Sequence, residues 1–177
     1  MSDPIATVMS KVLPVLLTEF FGERRRVRMT LHRRRSLAAR RLSAELTGLH
    51  ELMKKYEKTE RYARLVSVRL RSLCRQYEEV GFLFPSGWHH LANGTRASIG
   101  EALGGVGASP WDDRFIGWPV SAYSAQWQQN SENYISYVLN RLRRWELNPS
   151  DKAGERLRPL SFDSWLLERQ KHLLTAW

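Results

Sequence analysis

A mainly α fold is expected, a helical bundle built around a long helix or an antiparallel helical hairpin, with a Gly/aromatic-rich irregular segment in the middle. Three observations predict it: a sustained heptad seam in the first half, a concentration of helix breakers between residues 81 and 120, and a return of helical periodicity after Ser121.

The seam is the strongest pattern. Leu42, Leu46, Leu49, Met53, Tyr56, Ala63, Val66, Leu70, Leu73, Tyr77 and Val80 follow steps of four and three, with Glu60 the one polar position in the run. Such spacing keeps one apolar stripe facing a packed partner. The polar stretch Glu57 to Arg61 allows a turn between two helices, and one continuous helix satisfies the same pattern. Upstream, Ile5, Val8, Val12, Leu16 and Phe20 form an amphipathic stripe. Pro14 should kink that helix or start a new one, and Gly22 offers a stop.

Residues 81–120 hold eight glycines and three prolines, too many breakers for long helices. The aromatic and aliphatic residues among them need cover, so an ordered loop region is expected, with a short helix at Arg96 to Leu103. From Ser121 onward Tyr123, Trp127, Tyr134, Val138, Leu142 and Trp145 share a helical face. Pro149 to Pro159 reads as a polar loop, and a last helix begins at Ser161, an N-cap with Ser164 three residues on. This gives a basic helical region 1–80, a connecting segment 81–120 and a C-terminal helical region 121–177, expected to form one structural domain.

Charge carries the functional expectation. Residues 1–80 hold 18 Lys+Arg against 9 Asp+Glu, whereas residues 81–177 hold 10 against 9. A basic half beside a near-neutral one points to an anionic partner. Within residues 23–41, Arg24, Arg25, Arg26, Arg28, Arg33, Arg34, Arg35, Arg40 and Arg41 face a single acid, Glu23. Like charges at this density repel unless a polyanion screens them, and arginine's planar fork matches phosphate oxygens. Arg141, Arg143 and Arg144 would extend the track, although the helix dipole welcomes cations at a C-terminal turn in any case.

The expected function is therefore a non-enzymatic nucleic-acid-binding accessory protein that contacts the phosphate backbone with little sequence specificity. DNA and RNA stay open, with seven tryptophans leaning the balance toward single strands or RNA. The alternative is a protein-interaction or adaptor subunit, or a homo-oligomer, joined through the seam, its arginines facing an acidic partner.

Catalytic signatures are absent. His89 and His90 are adjacent, a poor metal-ligand spacing, while His32, His50 and His172 are scattered. Asp112 and Asp113 read as a turn, and Gly104-Gly105-Val106-Gly107 follows no convincing strand. No cofactor is expected. The lone Cys74 suits a reducing compartment, and no uninterrupted apolar run is long enough to span a membrane. A signal peptide is not expected, because Asp3 stands where a basic region would and no small-residue cleavage site follows Phe21, so a cytoplasmic location is expected.

Overall fold

The computed structural model describes residues 4–55, 57, 59–103 and 125–174, with the side chains of residues 25–55, 57, 59, 61–103 and 125–171. Among the described residues six α-helices follow one another: α1 (Pro4–Lys54), α2 (Glu60–Val80), α3 (His90–Ala102), α4 (Ala125–Leu147), α5 (Asp151–Leu157) and α6 (Phe162–Leu174), with a 3-10 turn at Gly81–Leu83. No strand occurs among the described residues. The chain divides into two units, Met1–Arg34 and Arg35–Trp177.

Two expectations are corrected at once. Helix α1 continues past Gly22, the expected stop, and no new helix begins at Pro14. A proline removes one backbone donor and bends the axis, and a glycine lowers helix propensity, but neither forbids the next turn. Residues 151–157, expected as loop, are helical, because Ser150 caps the segment by accepting from the Ala153 N–H at 3.2 Å.

In the unit Arg35–Trp177 the seam faces inward. Leu42, Leu46, Leu49, Met53, Val66 and Leu73 have no exposed surface, while Tyr77 and Val80 are half-buried against them. Tyr56 lies outside the described residues. Helices α1 and α2 are separate. Glu45 accepts from Arg69 (3.1 Å), Ser72 (3.1 Å) and Gln76 (2.9 Å) across them, and the Tyr62 hydroxyl donates to the Leu52 carbonyl at 2.9 Å. Gln128 donates to the Met53 carbonyl at 2.6 Å at the end of α1, and the Leu52 carbonyl accepts from the Lys55 N–H at 3.1 Å besides the Tyr62 hydroxyl. Thr59 caps α2 by accepting from the Tyr62 N–H at 3.2 Å. Thr59→Ala is expected to cost about 1 kcal/mol of stability in a urea titration.

The breaker-rich segment is more helical than its composition implies. Helix α3 runs from His90 to Ala102 and contains Gly94 and Gly100. Gly94 is where Tyr134 of α4 comes closest, and the buried hydroxyls of Ser98 and Ser131 meet at 3.3 Å. Small residues on facing turns let two helices approach closely, which offsets the loss of propensity. Residues 104–124, including Trp111, Asp112, Asp113 and Trp118, lie outside the described residues.

Aromatic clusters anchor the last two helices. Phe84, Trp88 and Trp145 pack with ring centroids 4.7–5.5 Å apart. Trp88 Nε1 donates to the Gly154 carbonyl at 2.9 Å, and Trp145 Nε1 to the Ser150 carbonyl at 3.0 Å. These two bonds pin α5 and its cap to the core. On α6, Phe162 and Trp165 meet Tyr134 edge-on at 5.2 and 5.5 Å. Ser161 accepts from the Ser164 N–H at 3.2 Å, as expected for an N-cap.

Two histidines tie stability to pH. Burial, then the Lys54 cation, holds His50 below the ordinary imidazole value of 6.5. Burial, then the His89 ring at 4.0 Å, does the same at His90. As pH falls through 6.5 the unfolded chain binds protons that the folded chain resists, so stability is full above that value and declines below it. Urea midpoints should fall from about pH 7.5 to about pH 5.5, less steeply in a variant carrying His50→Gln and His90→Gln.

Candidate nucleic-acid interface

Residues 25–34 of α1 are exposed without exception. At 100° per residue Arg26 and Arg33, seven apart, lie on one side of the helix, while Arg25, Arg28 and Arg34 lie at other azimuths. None of these five arginines makes an ion pair among the described residues. Among the described residues, the side-chain bond found in the segment is Thr30 Oγ1 donating back to the Arg26 carbonyl at 2.9 Å. Arg24 belongs to α1, but its side chain lies outside the described residues. Val27, Met29 and Leu31 are exposed among the arginines.

The remaining sequence candidates separate by what they touch. Arg35 is largely buried, its Nη2 on Asp151 Oδ1 at 2.6 Å and its Nη1 on the Pro149 carbonyl at 3.3 Å. It ties α1 to the cap of α5 and has little left for a ligand. Arg40 Nε meets Glu146 Oε1 at 2.6 Å, linking α1 to α4. Arg41 is exposed with no ion pair among the described residues. Arg143 donates to Thr47 Oγ1 at 3.2 Å.

Arg141 and Arg144 belong to a different place. With Tyr137, Asn140, Arg156 and Leu157 they line a groove of about 630 Å³ between α4 and α5. Arg156 was missed because residues 149–159 read as loop. The Ser150-Asp151 pair, a cap followed by a first-turn acid, is the signal that would have placed it on a helix.

Other candidates lose their chemistry to burial. Trp88 and Trp145 are fully buried and offer no face to an unpaired base. Burial pushes the Cys74 thiol up to about 11, which leaves it protonated and unreactive near neutrality. No group of three or more His, Cys, Asp or Glu suited to a metal occurs among the described residues, and no helix among them is long and apolar enough to cross a membrane.

Comparison of the chain with family models, curated proteins and solved structures returned no match.

Proposed function

We propose that the protein is a non-enzymatic nucleic-acid-binding accessory protein that grips phosphate backbone with residues 25–34 of α1. One observation carries this reading: Arg25, Arg26, Arg28, Arg33 and Arg34 are all exposed and none has a carboxylate partner among the described residues. Elsewhere in the chain Arg35, Arg40 and Arg69 are each matched by an acid. Uncompensated cations at this density on one short stretch favour a partner that supplies closely spaced negative charge.

The azimuths of these arginines narrow the polymer. Arginines on several sides of one helix reach phosphates on both walls of a groove, and the roughly 12 Å major groove of B-form DNA matches a helix about 10–12 Å across. Duplex DNA is accordingly favoured on the helix geometry; of the tryptophans that pointed to single strands, Trp88 lies in the core, and Trp111 and Trp118 lie outside the described residues. In this reading α1 and α2 form an antiparallel hairpin whose seam belongs to the protein's own core, and recognition is of backbone and shape.

The test is fluorescence anisotropy with short duplex DNA, single-stranded DNA and duplex RNA across a salt series. Micromolar binding to duplex DNA at about 50 mM salt, lost by about 200 mM, is expected. No binding to any of the three polymers at low salt would sink the proposal. The adaptor reading draws on Val27, Met29 and Leu31, exposed on the same stretch, and on Leu65 and Val68, exposed on α2. It would be favoured by salt-insensitive capture of a protein partner that Val27→Ser and Met29→Ser abolish.

A further inference from the structure

The groove between α4 and α5 carries positive charge that the protein does not neutralise. Arg141 and Arg144 stand one turn apart on α4, and Arg156 faces the same groove from α5. None of the three makes an ion pair among the described residues. Two neighbouring acids are engaged elsewhere, Glu146 with Arg40 and Asp151 with Arg35, and Glu155 of α5 makes no ion pair among the described residues.

The cluster is also held in place. The Arg141 guanidinium lies over the Tyr137 ring at 4.7 Å, and its Nη1 donates to the carbonyls of Arg156 and Arg158 at 3.5 and 3.4 Å. Those carbonyls close the end of α5, so Arg141 is fixed by both walls of the groove. The Tyr137 oxygen accepts from the Leu160 N–H at 3.1 Å, which leaves the phenol's own proton available to an acceptor. Asn140 adds an amide on the α4 side, and Leu157 an apolar wall. Positioned donors, uncompensated charge and one apolar surface are the parts of a site for an organic anion.

We propose that this groove binds a phosphomonoester of nucleotide size. A phosphomonoester carries about −1.5 to −2 charge at pH 7, enough to offset two guanidinium groups, and arginine forks match its oxygens. A groove of about 630 Å³ falls in the range of small-molecule sites and exceeds what a bare phosphate fills. Helix dipoles alone account poorly for the cluster. They favour an arginine in each last turn and do not require Arg144 and Arg156 to share one groove. This inference is independent of the reading of α1.

Isothermal titration of the full chain with adenosine 5′-monophosphate, inorganic phosphate and adenosine, at constant ionic strength, tests it. Saturable binding of the nucleotide, weaker saturable binding of phosphate and none of adenosine are expected. Arg144→Gln and Arg156→Gln, both at exposed positions, should each weaken nucleotide binding about tenfold or more. A chain with Arg25, Arg26, Arg33 and Arg34 replaced by alanine should bind the nucleotide as before. Oligonucleotides separate the sources of the phosphate: displacement by a 5′-phosphorylated strand but not by its hydroxyl-ended twin supports the site. Equal displacement by both would show that internal backbone phosphates occupy it and would overturn the proposal. So would adenosine binding as well as its monophosphate, absence of saturable binding by nucleotide and phosphate, or affinity unchanged in both arginine variants.

Discussion

Gly94→Ala is expected to lower the stability of the folded chain by about 3 kcal/mol or more, although alanine is the better helix former by about 1 kcal/mol. A Cβ at position 94 would stand 1.9 Å from the Tyr134 hydroxyl oxygen and 2.7 Å from its Cζ, inside van der Waals contact. Tyr134 has nowhere to go. Its hydroxyl donates to the Leu160 carbonyl at 2.7 Å and reaches the His90 carbonyl at 3.3 Å, and its ring packs against Phe162 and Trp165. Moving the ring breaks the part-buried bond to the Leu160 carbonyl, at about 1 kcal/mol, and loosens α6 from α3 and α4.

The loss should appear as a lowered urea midpoint. Tyr134→Phe in the Gly94→Ala background should recover part of it, because the nearer of the two clashing atoms is then absent, giving a coupling free energy that is not additive. Gly48→Ala is the control. The nearest atoms there belong to the Arg69 guanidinium, at 3.2 Å on a half-exposed side chain that can swing away. That variant should be unchanged or more stable by up to about 1 kcal/mol. A Gly94→Ala protein as stable as the parent would show that α3 and α4 do not meet as described.

Replacing Arg25, Arg26, Arg33 and Arg34 together with alanine is expected to weaken binding to duplex DNA by about a thousandfold at about 50 mM salt, with the thermal midpoint unchanged. Each arginine on a phosphate contributes nearly one unit to the slope of log affinity against log salt, so the slope should flatten by about three to four. The fold is spared because all four side chains are exposed and make no ion pair among the described residues. Arg35→Ala should behave oppositely. It leaves Asp151 and the Pro149 carbonyl without their partner and should lower stability while leaving the salt slope alone. Anisotropy titrations beside thermal melts decide the matter. Binding that keeps its slope in the fourfold variant would move the interface away from α1.

The two arginine classes mark how far a candidate site could be read from residues alone. Charge density drew attention to Arg24 through Arg41 as one cluster, because sequence spacing treats neighbouring arginines alike. Arg35 and Arg40 left that cluster because their partners, Asp151 and Glu146, come from more than a hundred residues downstream. Arg156 stayed hidden because seven residues of α5 are too short for periodicity to register. Their helix depends on a Ser150 cap held by the Trp145 indole and on the Trp88 indole at the Gly154 carbonyl.

The heptad spacing from Leu42 to Val80, the return of helix before Trp127, the Ser161 cap and the basic bias of the first eighty residues were determined by the sequence itself. Each rests on periods, caps or charges that act within a few residues. Tertiary structure alone decided that the seam is covered by the protein's own core, that Gly94 makes room for Tyr134, and that Trp88 is buried. It also decided which arginines are matched by acids and which are not. Those outcomes depend on groups brought together from distant parts of the chain, and only folding determines which of them meet.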